Sequence, residues 1–165
     1  MVTVREVFAA AGLQPCGPVR WQEPVSEARP GVYVVALTSS CDEVSTATTA
    51  DVALDAACAN ERARWIADEP VLYIGRTKRA LRRRLSEFYA HRYGARRPHR
   101  GGQAVIGVTL NRWVYWAPTR DWALAEEAMI DHFRREVGSL PFANRIRSAR
   151  PAGPASPNLK FLSGF

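Results

Sequence analysis

The chain has 165 residues, 47% of them hydrophobic and 24% charged, and 23 Lys and Arg against 16 Asp and Glu give a formal net charge of +7. This length suits one domain with an ordinary core, and the balance is that of neither a disordered tail nor a membrane protein. No apolar run approaches the roughly 18–20 residues that cross a bilayer, and Met1 to Leu13 lacks the basic start, apolar stretch and cleavage site of a secretion signal, so the expectation is a cytoplasmic protein.

Val4 to Leu13 reads as a short amphipathic helix, with Val4, Val7, Phe8 and Ala11 on one face and Gly12 ending it. A Pro-containing connector follows, in which Trp21 is a packing residue. Pro30-Gly31 marks a turn into Val32-Tyr33-Val34-Val35-Ala36-Leu37, whose β-branched and aromatic run predicts a buried strand. Residues 38–70 read as an insertion. Thr38 to Thr49 is rich in Ser and Thr and predicts a loop. Asp51 then caps a predicted helix that runs to about Asp68 and is stopped by Pro70. Val71 to Gly75 predicts a second buried strand.

The most basic stretch comes next: Arg76, Lys78, Arg79, Arg82, Arg83, Arg84, Arg92, Arg96, Arg97 and Arg100 face one acid, Glu87. Leu81, Leu85, Phe88 and Tyr89 recur at helical spacing, which predicts an amphipathic helix over about Arg79 to Arg92. Gly94 to Gly102 reads as a basic loop. Two strands are expected around Ala104 to Leu110 and Trp113 to Trp116. A last helix is expected from Asp121 to Val137, ended by Gly138. From Ser148 the tail reads as irregular.

Strand, inserted helix, strand, helix, strands and helix together describe one α/β domain, a small mixed or antiparallel sheet flanked by helices. Its parts are residues 1–30 (helix and connector), 31–37 (first strand), 38–70 (insertion), 71–147 (remaining core) and 148–165 (tail). Cys16, Cys41 and Cys58 lie far apart without CxxC or zinc spacing, which suits free thiols. Only Lys78 and Lys160 are lysines. The arginine bias reads either as codon usage or as planar, bidentate recognition of phosphate.

Five segments carry chemistry. They are Gly31-Val32-Tyr33, Tyr73-Ile74-Gly75, Gly75-Arg76-Thr77-Lys78 with Leu81, Arg84 and Leu85, then Ala125-Glu126-Glu127-Ala128-Met129-Ile130, and Pro141-Phe142-Ala143-Asn144. In this order they resemble the elements of the GIY-YIG nuclease family and cover most of Gly31 to Asn144. The resemblance implies an endonuclease dependent on Mg²⁺ or Mn²⁺ that hydrolyses nucleic-acid phosphodiesters, with DNA as the first expectation. It implies that Tyr33 orients or deprotonates the attacking water, and that Tyr73 contacts the phosphate or shares in proton transfer. Arg84 would stabilise charge on the transferring phosphoryl group, Glu126 would hold the metal, and Asn144 would fix the site by hydrogen bonds or else cap a turn.

Helix geometry tests the register. Trp122, Ala125, Met129, Phe133 and Val137 define an apolar stripe that contains Glu126 and leaves Glu127 on the other side. A carboxylate on that stripe needs a partner, either a neighbouring arginine or a cation. Ungapped counting from Tyr73 favours Arg83, whereas the leucine context and the buried face favour Arg84. Two features depart from the family. The insertion far exceeds a hairpin turn, and the position one helical turn after Arg84, often His or Tyr, is Phe88. Tyr89 and His91 are nearby substitutes, and His99 either supplies the missing basic group or is a surface histidine. Arg76, Lys78, Arg82, His91, Arg96, Arg97 and Arg100 are the candidate nucleic-acid contacts. With no zinc finger or helix-turn-helix visible, specificity would come from the insertion, the loop around His99 or a homodimer. Two other readings are a nucleic-acid-binding module that cuts weakly, and a repurposed enzyme acting on a nucleotide or small anionic metabolite.

Overall fold

The run Val32 to Ala36 forms the strand β2 (Gly31–Ala36), in which every residue is buried. A computed structural model of the chain describes residues 1–44, 48–95 and 102–145. His99, Arg96, Arg97, Arg100 and the tail from Ser148 lie outside the described residues, as do residues 45–47 of the expected loop. β2 is flanked by β3 (Val71–Thr77) on one side and β4 (Trp113–Pro118) on the other, and β1 (Cys16–Arg20) pairs with β4. The order is β1-β4-β2-β3 and every pairing is antiparallel, which resolves the mixed-or-antiparallel expectation.

Alternation along β2 sends side chains to two separate cores. Val32, Val34 and Ala36 join Ile74, Tyr115 and Ala117 against α1 (Val4–Ala9) and the stripe Ala125, Met129, Ile130 and Phe133 of α4 (Trp122–Val137). Tyr33 and Val35 join Tyr73 and Val114 against Leu81, Leu85 and Phe88 of α3 (Leu81–Tyr89). Partners Val35↔Tyr73 and Ala36↔Val71 leave Leu72 as the extra residue of a bulge, so Leu72 and Tyr73 both face the second core. α1 opens on a Thr3–Glu6 capping box, and α4 ends at Gly138 with φ 87°, a conformation that glycine adopts without Cβ strain.

Three expectations are corrected. The insertion does not form one helix from Asp51. It forms α2 (Ala50–Ala53), with Thr49 at the N-cap position, and then a 3₁₀ helix (Ala56–Arg64) capped by Asp55. The break falls at Leu54, which extends to bridge Val108 and bury itself in the second core. Ala104 to Leu110 is not a strand either, because Gln103–Gly107 is a 3₁₀ helix. A Cβ at Gly107 would fall 1.9 Å from Cys58 Sγ, so that close approach fixes the segment against the insertion. The connector after α1 contains β1, an edge strand whose register shifts between Cys16 and Val19, around Pro18. Cys16, Cys41 and Cys58 are free thiols. Among the described residues no helix is long and apolar enough to cross a membrane.

Candidate functional site

β3 is an edge strand, and its Gly75 lies opposite Tyr33 of β2. A Cβ on Gly75 would stand 2.6 Å from Tyr33 Cζ and 2.7 Å from both Tyr33 Oη and Tyr73 Cε1. The two phenol rings therefore fold over a residue that has room for no side chain, with centroids 5.9 Å apart. Phe88 of α3 closes the third side, its ring 6.2 Å from that of Tyr33 and 5.6 Å from that of Tyr73. Phe88 thus makes this side of the pair an apolar wall. The backbone of Gly102 packs on the same wall, since a Cβ there would sit 2.7 Å from Phe88 Cζ and 3.2 Å from Tyr73 Cζ.

α3 brings the guanidinium. Arg84 lies beside the buried face of Leu81, Leu85 and Phe88, and its Nε donates to Tyr33 Oη at 3.3 Å. Arg82 and Arg83 are exposed, and Arg83 turns instead to Glu87 at 3.3 Å. The register favoured by the leucine context is the one that reaches the phenols.

α4 brings the carboxylate. Oε2 of Glu126 is 3.1 Å from Nε of Arg76, and the two side chains are 12% and 27% exposed. The Arg76 guanidinium also lies over the Trp122 ring, 5.2 Å from its centroid. An arginine partner, one of the two explanations for a carboxylate on the apolar stripe, is therefore present. Glu127 is half-buried as well, so Arg76, and not burial, distinguishes the two glutamates. Arg76, a candidate nucleic-acid contact, lies on the face of Ile74, where α4 packs, as strand alternation from Ile74 to Arg76 indicates.

The charges interact across the strand edge. Burial pushes the Tyr33 phenol above its ordinary range, Arg84 pulls it back, and Glu126 pushes the same way as burial. Tyr73 is driven well above the ordinary range, first by burial and then by Tyr33, and its hydroxyl lies close enough to Tyr33 to interact with it. Burial opposes the charge on Arg84, but Tyr33, Tyr73 and Glu87 offset it, and the guanidinium stays above its ordinary range. At neutral pH the cluster is thus two neutral phenols, a cation and an ion pair. Tyr33 is 0% exposed and Tyr73 8%, so the phenols sit beneath the surface behind Arg84.

Asn144 closes the outer edge of β3. Its Oδ1 accepts from the Ile74 N–H at 2.9 Å and its Nδ2 donates to the Ile74 carbonyl at 2.8 Å, as a neighbouring strand would. Ala143 N–H adds a bond to the Leu72 carbonyl at 2.9 Å. The insertion supports this closure: Arg64 donates to the Asn144 carbonyl, and buried Glu61 pairs with Arg64 and Arg145. Asn144→Ala is expected to cost about 2 kcal/mol in chemical denaturation, because two backbone groups beside Tyr73 lose their partner. A cleft of about 940 Å³ lies beyond Asn144, lined by Asn60, Arg64, Trp65, Tyr93 and Leu140. It is separate from the phenol cluster.

The candidate surface residues fall into two groups. Lys78 and Arg82 are exposed. His91, expected to contact nucleic acid, is 6% exposed. α3 ends at Tyr89, and a turn with the His91 N–H on the Phe88 carbonyl tucks the residue inward. Arg64 was not among the candidate site residues and carries no local signal, since its partner Asn144 is 80 residues away in the chain.

Among the described residues no three of His, Cys, Asp and Glu gather as a metal cage. Glu126 is the carboxylate here that could serve a hydrated hard cation such as Mg²⁺ or Mn²⁺, and in this structure it is paired with Arg76. No family model matches the chain, and no curated protein or solved structure matches it.

Proposed function

We propose that this protein is a GIY-YIG-type endonuclease that hydrolyses nucleic-acid phosphodiesters, DNA foremost, with a divalent cation. The carrying observation is the hydrogen bond from Arg84 to Tyr33, with Tyr73 beside it and the charge of Glu126 felt by both phenols. Two cationic guanidiniums at the outer rim of the cluster attract a phosphodiester, and Arg84 is placed to neutralise charge as the phosphorus gains a fifth oxygen. In the net reaction a water oxygen bonds to phosphorus, one ester P–O bond breaks, and the proton of the water ends on the departing alkoxide. Burial keeps Tyr33 neutral, which favours orienting the water over deprotonating it. Glu126 would hold the cation, which when bound polarises the phosphate and assists the leaving oxygen. Lys78 and Arg82 extend the positive surface beyond the cluster, and contacts of that kind make affinity fall steeply with salt.

The test is incubation of supercoiled plasmid with the full chain and Mg²⁺ or Mn²⁺. Nicked and linear products that disappear on chelation are expected. Salt-sensitive binding without cutting would instead favour the second reading, a weakly catalytic nucleic-acid-binding module. Phe88 at the usually polar position and the low exposure of both phenols favour that alternative.

A further inference from the structure

We propose that Arg76 is a gate on the cation site, holding Glu126 until a phosphodiester arrives and then moving onto the phosphate. The inference rests on the reading above in assigning the cation to Glu126, and goes beyond it in making cation and substrate binding interdependent.

Trp122 and Glu126 are four residues apart on α4 and so lie on one side of the helix, one turn apart. Arg76 leaves the end of β3 and spans both, with Nε 3.1 Å from Glu126 Oε2 and the guanidinium 5.2 Å above the indole. A cation on Glu126 would therefore meet a fixed positive charge at the same carboxylate oxygen, and like charges so close in a partly desolvated pocket oppose each other. Neither can be neutralised by proton loss, since arginine stays charged.

A phosphodiester changes the balance. It offers the guanidinium acceptor oxygens in the bidentate geometry that arginine prefers. The Trp122 face gives the guanidinium a surface to slide along, so it leaves the carboxylate without losing its aromatic contact. With Arg76 moved away, the carboxylate then takes the cation, whose remaining sites the same phosphate helps to fill. Cation and phosphodiester thus bind with positive coupling, and by linkage each raises the affinity of the other. The protein without substrate is a poor cation binder. Arg76 thus contacts Glu126 in one state and the phosphate in the other.

The experiment measures Mn²⁺ binding by calorimetry and by loss of the free-ion spin-resonance signal. It uses the full chain at low ionic strength, with and without dimethyl phosphate as the phosphodiester probe. Arg76→Met keeps the apolar stem on Trp122, and Arg76→Gln is a second variant should the first misfold. Both are expected to bind Mn²⁺ about tenfold tighter than the wild type without the probe. Dimethyl phosphate should tighten Mn²⁺ binding to the wild type by a larger factor than to the variants, in which only its direct contact with the cation remains. If folded Arg76 variants bind Mn²⁺ no tighter, while Glu126→Gln abolishes binding, the gate is overturned and the cation assignment stands. If Glu126→Gln leaves Mn²⁺ binding in the Arg76→Met background unchanged, the cation is not on Glu126. The functional reading then fails together with the gate.

Discussion

Replacing Arg84 by alanine is expected to slow single-turnover phosphodiester cleavage by about 10²–10³-fold, the loss typical of one preorganised donor aimed at developing charge. Arg84 is half-buried, and its charge is worth more there than in water because fewer solvent dipoles screen it. It acts twice. In the proposed reaction it presents a cation to the phosphate, and in the structure its Nε–H donates to the oxygen of Tyr33 at 3.3 Å. The second role has its own readout. The guanidinium opposes the effect of burial on Tyr33, so its removal should drive phenolate formation to still higher pH, visible in the near-ultraviolet absorbance. Lysine should restore part of the charge and little of the rate, because an ammonium cannot place two donors in one plane. Arg83→Ala is the control. That side chain is exposed and shares Glu87 with Arg79, so about 0.3–0.5 kcal/mol of stability and little activity should be lost. A full rate in Arg84→Ala would take this residue out of the mechanism.

How much of this was legible depended on how local each cause was. β2, β3, α3 and α4 carry their signals within a single run: the Val-Tyr-Val-Val alternation, the Leu81–Leu85–Phe88 spacing, the Ala125–Met129–Phe133 stripe and the left-handed Gly138. β1 was hidden because Gly17 and Pro18 read locally as a turn, while its strand character comes from pairing with β4 about a hundred residues later. The insertion was misread for the same reason. Its alanines favour helix, but Leu54 gains more by bridging Val108 and entering the second core than by continuing α2. At the site, helix geometry separated Arg84 from Arg83, and the contacts to Tyr33 follow that separation. For the glutamates, the stripe argument left two partners open, and the arginine partner came from the far end of a strand. That Arg76 faces α4 was implicit in strand alternation, but its pairing with Glu126 required the spatial distance between β3 and α4.

Glu126→Gln is expected to remove cation-dependent cleavage by on the order of 10³-fold or more, equivalent to several kcal/mol of transition-state stabilisation from the metal. Glutamine keeps the size of the side chain and can still accept a hydrogen bond from Arg76, so folding should change little. The lost ion pair is partly exposed and worth about 0.5–1 kcal/mol at most. Glu127→Gln should keep most activity, since it lies about 100° further round the helix and does not face Arg76. Reversal of the two outcomes would show that the metal register is off by one residue. A second readout needs no substrate. The Glu126 carboxylate adds to the upward push on both phenols, because an anion nearby disfavours a second one. Its neutralisation should move phenolate formation to lower pH, opposite in sign to the change in Arg84→Ala. A loss of cleavage without that downward movement would mean that Glu126 acts away from the phenols, and the cluster would no longer be a single site.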